Sequence, residues 1–435
     1  MIIAGDWAIT PGTKTLEHGA VCINGNRIQD VGTKDALAAR YPDAVVRNHP
    51  GCVIMPGLVN AHTHLALTAL QDVVPPEGDF APWIDRITRA VLALDRNDFA
   101  ASATAGAVQC LLGGVTVVGD IAYGPESPAA AGDMGLGGVF FWEVLGITPA
   151  ELPDTLARIE FPTAPGDQCP SRMRCGLSPH APYSSGPDLL QAIKQAADGF
   201  DIQFSIHAAE SAAELQLLVT GDGPFAEKAN RLAHGFRPPR TGAIRYLDRL
   251  GVLEGALVIH CVHLMPGEAH LLAEKARGVV LCPRSNALLG NGRPPVRALL
   301  DAKVRIALGT DSAVSNTDLD LFAEARALRE LEPALTAAQL VQMMTETGAD
   351  VLGLGDRFGR LATGYNADVI AVEVGDTGHP LEAVVKLGSQ GHVRTVVTGG
   401  IARVLGGTPT FSTTPMNQAT ARVTAKAARA VGPFL

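Results

Sequence analysis

Val53-Ile54-Met55-Pro56-Gly57-Leu58-Val59-Asn60-Ala61-His62-Thr63-His64 is the stretch whose reading decides the fold. An apolar, strand-like run ends in two histidines separated by one residue. Side chains in a strand alternate faces, so residues two apart point the same way. His62 and His64 can therefore present their imidazoles to one cation from a single strand end, and imidazole is a common nitrogen ligand for zinc. Three further runs repeat the arrangement. Ile202–Ile206 ends in His207, with Glu210 three residues on. Ala256–Ile259 ends in His260-Cys261-Val262-His263, and Val304–Thr310 ends in Asp311-Ser312. Metal-competent residues at the carboxyl ends of successive strands are the expected layout of a (β/α)₈ barrel active site.

Eight candidate strands can be counted, ending near His64, Asp120, Glu143, His180, His207, His260, Cys282 and Asp311. Helical patterns fill the gaps, for example over 189–197 and 323–331. This alternation predicts parallel strands with crossover helices. Outside the barrel, Ala20–Ile23 and Ile28–Val31 flank an Asn24-Gly25 turn, a hairpin signal. The segments 367–372 and 393–400 also read as strands. The expected division is a composite β-sandwich from residues 1–55 plus 356–412, a barrel over 56–355, and a tail over 413–435. The tail reads either as a terminal helix or as partly disordered. The stretch from Pro75-Pro76-Glu77-Gly78-Asp79 through Phe80-Ala81-Pro82-Trp83 is expected as loop and helix near the mouth of the site.

The motif blocks resemble the amidohydrolase superfamily, within its mononuclear deaminase and chlorohydrolase branch. They are Pro56–His64, Ser178–Tyr183, His207–Glu210, His260–Leu264, Ser285-Asn286 with Gly290-Asn291-Gly292, and Leu308–Ser312. The resemblance implies one divalent metal ion, Zn²⁺ or Fe²⁺, held by His62, His64, His207 and Asp311. It implies that Glu210 shuttles a proton, that His260 hydrogen-bonds the attacking hydroxide on the metal, and that Asp311 also serves catalysis. His180 matches a histidine that touches substrate, and Trp83 and Glu143 are expected to face substrate. Plainer roles exist for several of these: a helix N-cap for Asp311, a helix first-turn carboxylate for Glu210, a structural role for His263.

Some superfamily members hold two metals bridged by a carbamylated lysine. No lysine lies between Lys34 and Lys194, so strands two to four cannot supply it. Arg284 stands where several relatives carry a small residue. Arginine reads carboxylates with a bidentate fork; an ion pair on the barrel rim is the alternative. The Cys282–Asn286 block is similar to that of aminodeoxyfutalosine deaminases, and the methylthioadenosine/S-adenosylhomocysteine deaminases are alike in their metal site. The implied reaction is hydrolytic deamination of an adenine-type nucleoside, with aminodeoxyfutalosine, which carries a carboxylate, as the first candidate. Guanine or s-triazine hydrolysis and cyclic amide hydrolysis are the alternatives.

Composition narrows the setting. The chain has 435 residues, 47% hydrophobic and only 18% charged, with net charge −9, so no basic stripe for nucleic acid is present. No run approaches the roughly 20 apolar residues that span a bilayer. The seven cysteines, Cys22, Cys52, Cys110, Cys169, Cys175, Cys261 and Cys282, lack C-x-x-C spacing and fit a reducing, cytoplasmic setting. A small purine-nucleoside-like molecule is the expected partner, and homo-oligomerisation stays open.

Overall fold

Eight short, mostly buried strands run parallel in chain order, as expected for segments covered by helices outside and side chains inside. In the computed structural model, which describes residues 1–76, 79–159 and 172–432, they are β1 (Leu58–Thr63), β2 (Val115–Ala122), β3 (Gly137–Val144), β4 (Met173–Pro179), β5 (Gln203–Ala208), β6 (Leu257–His260), β7 (Gly278–Leu281) and β8 (Ile306–Leu308). Each pairs in parallel with the next. The ring closes between β8 and β1. Thr310 N and Asp311 N both donate to the His62 carbonyl at 3.1 Å, and Thr63 bridges Asp311. The side chain of Asn60 reinforces the seam: its Oδ1 accepts from Thr310 N at 3.0 Å and its Nδ2 donates to Thr310 Oγ1 at 2.7 Å.

The two chain ends meet beside the barrel. Val46–Pro56 pairs in parallel with Ile2–Thr10 on one side and antiparallel with Val369–Glu373 on the other. The composite domain is thus present, its strands joined by hydrogen bonds into one mixed nine-stranded sheet. The hairpin lies where the Asn-Gly signal put it, with Asn24 opposite Arg27 and Gly25 at φ 55°. Val46–Pro56 leads through Gly57 straight into β1, so the register of the composite sheet bears directly on where His62 and His64 sit.

Two elements cover the carboxyl end of the barrel near β1. The short 3₁₀ helix Leu65–Leu70 is wholly buried, and the helix Phe80–Leu92 follows, capped by the Asp79 side chain. Glu77 and Gly78, within the stretch expected as loop, lie outside the described residues, as do Cys169 and 433–435. The tail folds as the helix Thr414–Val431. It packs on Arg96–Leu112 and Phe80–Leu92, with Thr424 Oγ1 donating to the Ala69 carbonyl at 2.7 Å and Lys426 reaching Asp95 at 2.7 Å. No helix among the described residues is long and apolar enough to cross a membrane.

Candidate active site

His62 and His64 leave β1 on one side of the strand, as alternation requires, with ring centroids 5.0 Å apart. His207, from the end of β5, lies 5.0 Å from His62 and 5.5 Å from His64 by the same measure. Asp311, just past β8, places Oδ1 3.5 Å from His62 Nε2 and 3.4 Å from His64 Nε2. Four expected ligands, spread over 250 residues of chain, share one buried floor. His260 joins them: its donor nitrogen falls with those of His62 and His207 within 4.8 Å of one another, as do the donors of His62, His64 and Asp311.

Three of the imidazoles, those of His64, His207 and His260, have a partner on Nδ1. His207 Nδ1 donates to the His180 carbonyl at 2.8 Å, and His260 Nδ1 donates to Asn286 Oδ1 at 3.0 Å. Their Nε2 lone pairs are left for the floor, the usual arrangement around a metal. Asp311 Oδ2 accepts from Ser285 Oγ at 2.6 Å and Ser315 Oγ at 2.8 Å, and Oδ1 accepts from Ser312 N at 2.8 Å. No helix follows Asp311 directly; the next begins at Leu321. His64 Nδ1 lies 3.3 Å from the Tyr123 hydroxyl. Four non-glycine residues at strand ends here adopt positive φ: Ala209 at 53°, His260 at 76°, Cys261 at 48° and Asp311 at 59°. That backbone is costly for residues with a β-carbon and is retained where surrounding contacts over-determine it.

Burial, followed by the charge of His62, pushes His64 down to about 3. Burial likewise pushes His260 down to about 4 and holds His207 well below its ordinary value. Burial opposes ionisation of Asp311, but the adjacent His62 ring and the other surrounding imidazoles hold its pKa well below the usual range. Neutral imidazoles and an ionised carboxylate are the forms that bind a divalent ion. His62 Nε2 is also buried with no hydrogen-bond partner among the described residues. An orphaned buried nitrogen aimed into a cluster of lone pairs is what a cation would satisfy. The donor set fits one.

Glu210 lies beside this floor. Its Oε1 is 3.6 Å from His260 Nε2 and accepts from Asn291 Nδ2 at 3.2 Å. It precedes the helix Ala212–Thr220; the first-turn carboxylate is Glu214, which accepts from Ala209 N and Glu210 N at 3.1 and 2.8 Å. Burial, with the charges of Asp311 and Glu214, raises the Glu210 pKa well above the usual carboxylate range. His263 holds this corner, its Nε2 donating to the Asn291 carbonyl at 2.6 Å. Glu143, at the end of β3, is pushed up to about 8 by burial, with Oε1 unpartnered among the described residues. His180 Nδ1 lies 2.7 Å from Ser184 Oγ, and burial followed by the Lys228 charge pushes it down to about 4.

A cavity of about 310 Å³ opens over the floor and is lined by His64, His180, His207, Glu210, His260 and Asp311, with Glu143 and Trp83. That volume is at the lower end of the roughly 300–1,000 Å³ typical of small-molecule sites. Arg284 does not line it. Its guanidinium pairs with Asp318 at 2.7 Å, touches Thr317 and lies 3.7 Å from the fully buried Glu324, whose Oε2 accepts from Arg284 N at 3.0 Å. Its fork is already filled on the rim.

Several lining residues were not singled out from the sequence. Tyr123, which lines the cavity, and Ser315 behind it orient site residues, as does Asn291, which the sequence offered only within the Gly290-Asn291-Gly292 block. One face of Phe80–Leu92, made of Phe80, Trp83, Ile84, Ile87 and Val91, forms the apolar wall. The spacing of that face is helical and carries the signal; Trp83 alone was drawn from it. Lys228 and Arg231, on the helix Ala226–Leu232, had no sequence signal beyond being basic.

The amidohydrolase family profile matches residues 53–402, which span every strand of the barrel. The chain belongs to the amidohydrolase family. A profile for an imidazolonepropionase-like composite domain of bacteria matches residues 19–44, within the sheet built from the chain ends. The chain is 30% identical over 384 residues to a 5-methylthioadenosine/S-adenosylhomocysteine deaminase of Moorella thermoacetica, covering 86% of each. It is 32% identical over 356 residues to an aminodeoxyfutalosine deaminase of Deinococcus radiodurans, covering 77% of this chain and 81% of the relative. Among solved structures, an adenosine deaminase from Xanthomonas campestris with bound zinc superposes with a TM-score of 0.81 at 25% identity, covering 98% of both chains.

Proposed function

We propose that this amidohydrolase is a metal-dependent hydrolytic deaminase of an adenine-type nucleoside, with aminodeoxyfutalosine as the first candidate substrate. The observation that carries the reading is the placement of Glu210 within 3.6 Å of His260 at the wall of the cavity whose floor is the His62, His64, His207 and Asp311 cluster. Deamination of an aromatic amine needs a water made nucleophilic and a proton delivered to the ring, side by side. The two deaminase relatives support the same chemistry.

His62, His64, His207 and Asp311 would hold one divalent ion, Zn²⁺ or Fe²⁺, since both accept histidine and carboxylate. Such an ion supplies Lewis acidity that brings the ionisation of water to near neutral pH. Glu210 takes a proton from the water and delivers it to the ring nitrogen beside the amino-bearing carbon. The His260 Nε2 lone pair accepts a hydrogen bond from the attacking water and aims it. The carbon–oxygen bond forms, the second proton of the water is carried to the amino group, the carbon–nitrogen bond breaks and ammonia leaves, while the first proton stays on the ring nitrogen. His180 and the protonated Glu143 offer hydrogen bonds to the purine and its sugar. Trp83 and the apolar face of Phe80–Leu92 exclude bulk water.

A panel of purine nucleosides, followed by ultraviolet absorbance and ammonia release, tests this directly. Adenine nucleosides should lose the amino group with one ammonia per turnover. Turnover confined to guanine, to s-triazines or to cyclic amides would overturn it.

A further inference from the structure

Lys228 and Arg231 lie three residues apart on the helix Ala226–Leu232, and both line the cavity. Residues so spaced share one helix face. They are the two lysine or arginine side chains among the described residues that line it. Phe225, the N-cap, anchors the helix by stacking on Tyr183 at 4.2 Å and meeting Phe80 edge-on at 5.9 Å. The pair is thereby held against the apolar wall.

Among the described residues Arg231 is uncommitted, and Lys228 is engaged by one exposed carboxylate and by the Phe225 ring, 5.8 Å from its ammonium. The Lys228 side chain is only 11% exposed, and its partner Asp85, at 2.7 Å, is 65% exposed; an ion pair with so wet a member is worth little. Arg231 is exposed and has no ion-pair or hydrogen-bond partner among the described residues. Arg284, by contrast, is fully engaged away from the cavity. Beside them the cavity is lined by Asp85, Thr88 and the exposed apolar Leu92, at 79%, and Leu145, at 40%.

Resting on the deaminase reading, we propose that Lys228 and Arg231 form a subsite for an anionic group at the end of an apolar extension on the sugar. The extension would lie along Ile84, Ile87, Val91 and Leu92, with its terminal carboxylate on the two cations. Arg231 would supply the bidentate fork and Lys228 the point charge.

The test uses three adenine nucleosides with the same apolar 5′ extension, ended by a carboxylate, its methyl ester or an amine. The wild-type protein should favour the acid over the ester in kcat/KM, and that preference should shrink from 50 to 500 mM salt. Arg231→Gln with Lys228→Gln should cut the acid-to-ester ratio by at least about tenfold, the effect of one charge-assisted hydrogen bond. Arg231→Glu, a change at an exposed position, should invert the preference towards the amine. Equal rates on acid and ester in the wild type, or an unchanged ratio in Arg231→Glu, would overturn the subsite while leaving the deaminase reading standing. If no adenine nucleoside is turned over, the reading underneath fails and the subsite with it.

Discussion

Gly309 stands against His62: a β-carbon on Gly309 would lie 2.8 Å from the His62 β-carbon and 2.8 Å from its carbonyl oxygen. This contact sits on the seam where β8 meets β1, one residue before the Thr310 and Asp311 amides that bond the His62 carbonyl. Gly309→Ala should force the seam apart, with an overpacking cost of about 1–3 kcal/mol. Both metal content and melting temperature should fall. A variant that keeps full metal and wild-type stability would show that the seam is slack.

Glu210→Gln keeps the hydrogen bond to Asn291 within reach of its side-chain oxygen but loses the exchangeable proton. It should bind metal as the wild type does and lose about 10²–10⁴ in kcat. His207→Ala should instead lose metal, measured by elemental analysis of the purified protein. Equal metal loss in both would make Glu210 a ligand rather than a proton carrier.

Metal removal should lower stability as well as activity, because the floor concentrates lone pairs that a cation satisfies. Dialysis against a chelator should lower the melting temperature, and adding back Zn²⁺ or Fe²⁺ should restore it, more strongly at higher concentration, as linkage requires. An unchanged melting curve after verified removal would mean that the cluster is held by protein contacts alone.

Arg284→Met should act on stability rather than selectivity. The change removes the partner of Asp318 and strips a cation from beside the fully buried Glu324, which burial already pushes up to about 8. A loss of about 1–3 kcal/mol is expected, with acid-ended and ester-ended nucleosides affected alike. A selective loss of the acid-ended substrate would return Arg284 to substrate recognition.

Asp120 is buried at the end of β2, accepts from Leu65 N at 2.7 Å, and is pushed up by burial to about 7. The unfolded carboxyl ionises near 3.8, so between about pH 4 and 7 the folded state holds the extra proton. Stability contributed by this group therefore falls as pH rises through that window and levels off above it. Asp120→Asn lacks the titration. The melting temperature of the wild type minus that of the variant should become steadily less favourable to the wild type from pH 4 to 7, then flatten; a constant difference would contradict it.

Alternation along single strands made much of the site legible in the sequence. His62 and His64 share a face because a strand has period two, and the polarity of His207, His260 and Asp311 at strand ends marked the barrel and its active rim. These are local properties that a few neighbouring residues decide. The sequence could not say that Arg284 would spend its charge on Asp318 and Glu324, 34 and 40 residues downstream. It could not say that His260 would stand as close to the floor as the four expected ligands, that a bare Gly309 would admit His62, or that Phe80–Leu92 would bring Lys228 and Arg231 against one wall of the cavity. Such relationships join side chains far apart in the chain, and their distances are set by how helices and strands pack and by where the barrel closes, which no local pattern encodes.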